Sequence, residues 1–374
     1  MKLDRFFWLL IGVITVAYVA ILTYVRLDNN HQLQSNVYQQ WHSHYVVELP
    51  HQQIIVNSNA GNGRTMIALS EGQGYGMLLT LMAAEHGWAN RTEFQKYVNY
   101  YLANRDMHHG EKTALMAWRQ FYNSQGKLIK SNRNSATDGD LIIAQALFRA
   151  DRRWPGHHYG KLGKQILTAA LRDEYNPKTK VLTVGNWVTK KSRDWNLLRT
   201  SDVMAEAFDE FYRATGDHRW LVTKQVMLKR LNQLSHQNKT GLVPDFAYVT
   251  GNNAVPAQPN TVEGPNDGNY AGNACRVPML LAHSHDPLAR DTEKRLLKFF
   301  EKRSRITAGY KLNGQALNHY QSNSVSAPVF AAVSANRNAG YDSLFVRERA
   351  IIERPLPTNS YYSATLTALV VLNQ

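Results

Sequence analysis

The sequence predicts an all-α domain that follows one membrane-spanning helix. Residues 6–25 contain no charged side chain, and in much of the remaining chain apolar residues recur at the i, i+3, i+4 and i+7 spacing of helices. Alternation typical of strands is sparse, with residues 181–188 as one short candidate. The predicted helices cover residues 72–86, 112–122, 138–150, 161–172, 200–215, 220–236, 277–282, 293–304, 325–333 and 360–372. About ten to twelve helices predict repeated hairpins in one toroid or solenoid.

The N-terminal apolar segment predicts a signal anchor that is not cleaved. A helix of this length spans ~30 Å, the thickness of one hydrocarbon core. Residues 26–35 offer no cleavage site of the small-x-small type. Lys2 and Arg5 precede the segment, which predicts a cytoplasmic N-terminus and a single-pass protein whose body is extracellular, although Arg26 partly offsets this bias. The alternative is a buried core helix. The expected division is an anchor over residues 1–28, a short linker over 29–40 and a domain over 41–374.

Composition limits the remaining classes. With 44% hydrophobic and 19% charged residues, the chain is typical of a globular protein and not of a disordered or collagen-like one. Cys275 is the single cysteine, which excludes internal disulfides, multi-cysteine zinc sites and iron–sulfur clusters. The net charge of +14 favours anionic surfaces. Because the basic residues are scattered along the chain, nucleic acid is not expected as a partner.

Two short stretches place carboxylates at the start of predicted helices. In the first, Glu71 precedes glycines at positions 72, 74 and 76, and glycine lets another backbone or a ligand approach closely. In the second, Asp138 and Asp140 precede an apolar run. The alternative for both stretches is an ordinary helix N-cap, with Ser70, Thr137 or Asp138 as the capping residue. A calcium loop of the EF-hand type lacks its further oxygen ligands at the required spacing.

Aromatic residues are abundant outside the anchor. The chain has 8 Trp and 19 Tyr, and all but one Trp lie beyond residue 25. Flat aromatic faces stack on sugar rings, although ordinary packing accounts for most of them.

Several blocks in the same order resemble glycoside hydrolase family 8. They are SEGQGYGM at 70–77, ATDGDLIIAQALFRADRRW at 136–154, LMAW at 115–118, GLVPD at 241–245, ACRVP at 274–278, SAP at 326–328 and YYSA at 361–364. The resemblance covers residues ~40–372 and implies an (α/α)6 barrel, with an inner and an outer ring of helices. It implies hydrolysis of β-linked glycans, mostly β-1,4, with inversion and without a cofactor or metal.

The resemblance also implies roles for individual residues. Glu71 is expected to be the general acid. Asp138 is expected to lie under the distorted sugar and to position substrate and water, while Asp140 supports the site structurally. Cleft positions of the family correspond to Trp118, Arg276, Tyr361 and Tyr362.

The chain departs from the common family pattern at two positions. Many members place the general base, an aspartate, where this chain has Asn273, and an amide cannot take a proton from water. By resemblance to chitosanases, Glu263 is the candidate base and Asp267 the second choice, while Asp138 and Asp245 stay open. A solvated loop charge is the alternative for Glu263. We count Asn273 among the substrate-contacting residues.

The second departure is Asp202, which stands where many relatives carry the tyrosine of a Ser-Tyr step. One aromatic sugar platform is therefore expected to be lost, which counts against plain cellulose as the substrate. We count Asp202 with the substrate-contacting residues. The predicted protein is a membrane-anchored, endo-acting and inverting hydrolase that trims an exopolysaccharide beside its synthase. The alternative is a catalytically weak glycan-binding or assembly protein on the same barrel.

Overall fold

Helices and short strands alternate along the chain in the computed structural model, which describes residues 2–108 and 110–374, without the side chains of residues 2–6 and 24–27. The α-helices are α1 (Lys2–Tyr45), α2 (Ser70–Glu85), α3 (Arg91–Ala103), α4 (Thr137–Arg153), α5 (Tyr159–Asp173), α6 (Ala205–Thr215), α7 (Arg219–His236), α8 (Val277–Leu281), α9 (Pro287–Glu301), α10 (Asn323–Ala335), α11 (Asp342–Ile352) and α12 (Tyr361–Leu372). The strands are β1 (Val46–Leu49), β2 (Gln53–Val56), β3 (Met66–Leu69), β4 (Arg105–His108), β5 (Glu111–Met116), β6 (Arg119–Tyr122), β7 (Leu128–Ser131), β8 (Tyr175–Asn176), β9 (Val181–Leu182), β10 (Leu197–Arg199), β11 (Phe246–Thr250) and β12 (Asn253–Pro256).

The even-numbered helices form a closed inner ring. In the order α2, α4, α6, α8, α10 and α12, each contacts the next, and α12 contacts α2. Each also pairs with one odd-numbered helix outside it, and α12 pairs with α1. Helices α2 and α12 are apolar nearly all round and almost entirely buried, as expected for the inside of a barrel. The predicted (α/α)6 arrangement is confirmed.

The two ends of the barrel differ in their connections. At one end, outer helices connect to inner helices through long segments, which also carry every described strand. At the other end, inner helices return to outer helices through the short segments 86–90, 154–158, 216–218, 282–286 and 336–341. The strands form five antiparallel sheets, ordered β1-β2, β3-β6-β7, β4-β5, β8-β9 and β10-β11-β12. We call these the long-connection end and the short-connection end.

Helix α1 has two parts with different surroundings. The described side chains of residues 7–23 are exposed and mostly apolar, and among the described residues this is the one helix long and apolar enough to cross a membrane. From Leu33 onward the same helix packs on the barrel, and Trp41 and Tyr45 are fully buried. The segment 29–40, expected to be a linker, is therefore helical, and its second half belongs to the outer ring.

Three local predictions differ from the structure. The helix predicted over 112–122 is wrong: β5 and β6 lie there, in separate sheets, because a short apolar run fits a strand and a helix equally well. Residues 200–202 form a 3₁₀ turn before α6 begins at Ala205. The strand candidate 181–188 forms a strand only over Val181–Leu182.

Candidate active site

The starts of the inner helices meet around a cavity of about 310 Å³ at the long-connection end. Five long connections or helix starts contribute to its wall. The lining residues are Leu69, Ser70, Glu71, Trp118, Ala136, Asp138, Arg199, Glu263, Gly272, Asn273 and Tyr362. The cavity thus brings together three of the predicted carboxylate and aromatic groups, Glu71, Asp138 and Trp118, with the loop candidate Glu263.

Glycines allow α2 and α4 to approach closely at the cavity. A Cβ atom on Gly139 would lie 2.1 Å from the Ser70 hydroxyl oxygen, and one on Gly74 would lie 2.6 Å from an Ile142 methyl carbon. Neither helix start carries a side-chain cap, because Leu69 and Ala136 occupy the N-cap positions. Glu71 and Asp138 are therefore free of the capping role that was the alternative interpretation, and both reach the cavity.

Arg276 lies behind the two carboxylates and connects them. Its Nη1 atom donates to Glu71 Oε1 at 2.6 Å and to Asp138 Oδ2 at 3.3 Å. The same nitrogen lies 3.2 Å from the Tyr75 hydroxyl, and Nη2 donates to the Ser201 hydroxyl at 2.7 Å. Arg276 is 2% exposed and is absent from the cavity wall. The structure therefore places Arg276, a predicted substrate contact, behind the cavity wall, where it contacts both carboxylates.

Glu71 is suited to hold a proton near neutral pH. Burial raises its pKa to about 7, against the opposing charge of Arg276, and the Asp138 charge adds to the rise. The Glu71 side chain keeps 15% of its surface exposed, at the cavity wall. A carboxyl group with such a pKa can both hold a proton and release it to a bound substrate.

Asp138 also lies in the first turn of an inner helix, but its pKa is shifted in the opposite direction. Burial alone would raise its pKa, but Arg199 and Arg276 together hold it below the usual range for an aspartate. Arg199 Nη1 lies 2.7 Å from Asp138 Oδ1, and both side chains are at most 10% exposed. Asp138 is therefore held as an anion in the cavity wall.

Asp202 lies behind this pair and does not reach the cavity. It is fully buried, its Oδ1 atom lies 3.6 Å from Arg199 Nη1, and burial raises its pKa to about 7 despite the arginine. Asp202, a predicted substrate contact, thus lies beside Arg199 and outside the cavity wall. Where many relatives are expected to carry an aromatic sugar platform, this chain has the buried acid Asp202.

Asn273 links the loop candidate to the arginine. Its side-chain oxygen accepts a hydrogen bond from Arg276 Nη2 at 2.8 Å, and its nitrogen donates to Glu263 Oε2 at 2.9 Å. Glu263 is solvent-exposed and also lines the cavity. A continuous chain of hydrogen bonds therefore runs from Glu71 through Arg276 and Asn273 to Glu263.

The two other candidate bases are occupied by backbone groups. Asp267 is 2% exposed, and its carboxylate accepts N–H groups of residues 262, 263 and 264 at 2.7–3.1 Å. Asp245 accepts the N–H groups of Ala271 and Ala274 at 3.0 and 2.7 Å, and burial raises its pKa to about 7. Neither side chain lines the cavity. Both hold the loops that carry Glu263 and Asn273.

Asp140 has a similar supporting role. It is fully buried, and its Oδ1 atom accepts the Met116 N–H at 2.7 Å, which ties α4 to β5. Burial raises its pKa well above the usual range for an aspartate. This position agrees with the expected structural role.

Aromatic groups border the cavity on two sides. Trp118 is half-buried in the wall, and Tyr362 lies in the wall with its hydroxyl donating to the Gly272 carbonyl at 2.6 Å. Tyr361 is 5% exposed and packs against Gly72, where an added Cβ atom would lie 2.8 Å from the tyrosine hydroxyl. The structure thus brings Trp118 and Tyr362 to the cavity and places Tyr361 behind it.

Sequence reasoning missed three members of this network, namely Arg199, Ser201 and Tyr75. Arg199 is the most consequential, because it neutralises Asp138. It ends strand β10, after two leucines and before three polar residues, so the local sequence does not indicate that its side chain is buried. Across the described residues 2–108 and 110–374, no group of three or more His, Cys, Asp or Glu side chains is arranged to hold a metal ion.

Comparison with known proteins finds related glucanases. A beta-glucanase of Niallia circulans is 34% identical over 286 residues, which are 71% of this chain and 66% of that protein. An endoglucanase of Bacillus sp. (strain KSM-330) is 28% identical over 359 residues, 87% of this chain and 74% of that protein. The chain thus spans about two thirds to three quarters of the length of these relatives.

Solved structures share the fold. The apo structure of a beta-1,3-1,4-glucanase from Paenibacillus sp. X4 superposes with a TM-score of 0.82 at 27% identity, over 93% of this chain and 92% of that one. The sequence profile of glycosyl hydrolases family 8 matches residues 11–374. This match confirms the predicted family and the prediction that the protein is a glycoside hydrolase. The chain therefore belongs to glycosyl hydrolases family 8.

Proposed function

We propose that the protein is an endo-acting hydrolase of β-linked glucans that inverts the anomeric centre, with Glu71 as acid and Glu263 as base. The single observation that carries this proposal is the cavity itself. It holds a carboxyl group whose pKa is about 7, a fixed anion, and a third carboxylate on an exposed loop. The names of the relatives, a beta-glucanase, an endoglucanase and a beta-1,3-1,4-glucanase, favour a β-glucan as substrate.

The proposed mechanism assigns one task to each carboxylate. Glu71 donates its proton to the glycosidic oxygen as the bond to the anomeric carbon breaks. Glu263 accepts a proton from the water that attacks the opposite face of the sugar, and inversion requires ~6.5–9.5 Å between the two carboxyl groups to leave room for this water. Asp138 stays ionised and stabilises the positive charge that develops on the sugar ring.

The choice of Glu263 rests on what surrounds the competing groups. Asp267 and Asp245 are buried, each accepts two or more backbone N–H groups, and neither lines the cavity. Asp138 is paired with Arg199 and Arg276, which lowers its basicity. Glu263 alone among these groups combines an exposed carboxylate with a place in the cavity wall.

We also propose that α1 anchors the enzyme in the membrane as a single-pass helix, with the barrel on the extracellular side. The exposed apolar surface of residues 7–23 supports this proposal, since a soluble helix would bury such a face. A tethered endo-hydrolase would act on glycan near the cell surface, and trimming of an exopolysaccharide beside its synthase is the role that fits best.

Product analysis tests the proposal. The fragment 29–374 lacks the apolar segment and keeps the part of α1 that packs on the barrel. It is incubated with mixed-linkage β-glucan, cellulose, chitosan and the organism's own exopolysaccharide. Proton NMR within the first turnovers should show internal cleavage and a product in the α-configuration. An initial β-product would contradict inversion. Glycan binding without hydrolysis of any substrate would favour the alternative of a glycan-binding protein, for which Asn273 at the usual base position is the motivating residue.

A further inference from the structure

Helix α1 joins the barrel in a defined direction. Gln34 Nε2 donates to the Val371 carbonyl at 3.3 Å, near the end of α12. Further along, Trp41 Nε1 donates to Thr365 Oγ1 at 2.9 Å. Because residue numbers rise along α1 as they fall along α12, the two helices are antiparallel.

The start of α12 lies at the catalytic cavity. The ring centroids of Tyr45 and Tyr361 are 6.2 Å apart, so the last turn of α1 is level with the first turn of α12. Tyr361 packs against Gly72, next to the catalytic Glu71. The packed part of α1 therefore runs toward the cavity, and its N-terminal part leaves the barrel at the short-connection end.

The packing of α1 fixes the direction in which it leaves. Val37, Tyr38 and Trp41 are at most 4% exposed, so this part of the helix cannot turn against the barrel without opening the core. At the exit point, the His31 ring lies 5.0 Å from the Trp88 ring, at an angle of 61° between their planes. Since α1 continues as one helix from Lys2 to Tyr45, the anchor has the same direction as the packed part.

We propose that α1 is a rigid spacer, which turns the short-connection end of the barrel toward the bilayer and the catalytic cavity away from it. This inference depends on the proposed membrane anchoring. Val25 ends the apolar span, and twenty helical residues from there to Tyr45 cover ~30 Å. The catalytic carboxylates thus stand ~30 Å above the membrane, while the end of the barrel near Gln34 stands within ~15 Å of it.

The orientation defines which glycans the tethered enzyme can cleave. A polymer that emerges from the same membrane reaches the cavity only after it has extended ~30 Å from the bilayer surface. Short saccharides attached to lipid headgroups stay below the cavity. The substrate class of the anchored enzyme is therefore a long glycan chain, cut at a distance from the cell surface.

Energy transfer from labelled positions to the bilayer tests the orientation. Cys275 is fully buried, so that a single introduced cysteine can be labelled selectively. His285→Cys places a donor dye in the short connection 282–286, and Val255→Cys places it on β12 at the other end, where the valine is 50% exposed. The full-length variants are reconstituted in nanodiscs that contain lipid with an acceptor dye on its headgroup. Transfer should be at least threefold more efficient from position 285 than from position 255.

Equal transfer from the two positions, or a higher value from position 255, would overturn the orientation. Failure of the anchoring is distinguishable, since the protein would then leave the bilayer on an alkaline wash and neither label would transfer energy. As a control, a Gly-Ser-Gly-Ser insertion between Asp28 and Asn29 replaces the rigid spacer by a flexible one. The difference between the two labels should shrink, with unchanged hydrolysis of soluble glycan. An unchanged difference would contradict the spacer role.

Discussion

The start of α2 and the start of α4 are similar regions with opposite electrostatics. Each places a carboxylate in the first turn of an inner helix, without a side-chain cap and in contact with Arg276. Yet burial raises the pKa of Glu71 to about 7, whereas that of Asp138 is held below its usual range against the same effect of burial.

The difference between them is one more arginine. Asp138 is paired with Arg199 as well as with Arg276, and Glu71 has Arg276 alone. Arg199 also lowers the pKa of Glu71, but without forming an ion pair with it, and there the effect of burial prevails. The opposite pKa shifts of the two carboxylates therefore follow from neighbouring charges and not from the position on the helix.

The largest expected effect comes from Glu71→Gln, which keeps the shape of the side chain and removes its proton. Since a positioned general acid contributes ~10²–10⁴ in rate, kcat on β-glucan should fall by at least 100-fold. The melting temperature should change little, because a neutral amide resembles the protonated carboxyl. Near-normal turnover would remove Glu71 from the role of acid.

Arg199→Met removes the charge that distinguishes the two regions. Breaking a buried ion pair leaves Asp138 partly uncompensated, which costs about 3–5 kcal/mol of unfolding free energy. Urea denaturation measures this loss. The double variant Arg199→Met/Asp138→Asn should recover part of it, because the unpaired anion at position 138 is then removed, while Asp202 still lacks its cation. If the loss of unfolding free energy in the double variant equals the sum of the losses in Arg199→Met and Asp138→Asn, Arg199 does not act through Asp138.

The pKa of Glu71 is expected to determine how activity falls with rising pH. Only protonated Glu71 can donate, so kcat/KM should fall tenfold per pH unit above about 7. The same raised pKa makes the folded state bind the proton more tightly than the unfolded state. The stability from Glu71 is therefore fully present below about pH 4.5 and is lost as pH rises through about 7. In Glu71→Gln, this contribution to the pH dependence of the melting temperature should disappear.

Trp118→Ala should have the smallest of these effects. Loss of the aromatic face at the cavity wall is expected to weaken glycan binding by about 1–2 kcal/mol, measured by calorimetry on an inactive Glu71→Gln background. Trp187→Ala is the matched control, since Trp187 is 42% exposed and lies outside the cavity wall. A large fall in melting temperature with unchanged affinity would show that Trp118 is a core residue instead.

Much of the fold was predictable because the barrel helices carry local signals. Periodicity indicates most inner helices, and the outer helix α3, which is absent from the predicted set, has the same spacing in Phe94, Tyr97, Val98 and Tyr101. The barrel part of α1 was less visible, because its mixed polar sequence follows directly on the apolar anchor. Its helical state is stabilised by burial of Trp41 and Tyr45, a tertiary effect that no local pattern reports.

Site residues that stand in short sequence motifs were predictable, whereas those that act through contacts with residues distant in sequence were not. Glu71 and Asp138 stand in distinctive blocks, and the structure brings them to one cavity. The opposite pKa shifts of the two carboxylates depend on Arg199, which is distant in sequence from both. Similarly, Asp267 and Glu263 belong to one loop, and they differ only in three dimensions: Asp267 is buried and accepts backbone hydrogen bonds, whereas Glu263 is exposed in the cavity wall.

The most direct test of the central claim is the rate of Glu263→Ala with and without azide. Removal of the base should lower kcat by at least 100-fold with glycan binding unchanged. Azide needs no deprotonation, so it should restore turnover and yield a glycosyl azide in the α-configuration, because attack still inverts the anomeric centre. Asp267→Asn is the control, expected to lower the melting temperature without rescue by azide. Glu263→Ala with most of its activity left, or with a loss that azide does not restore, would contradict the assignment of Glu263 as base.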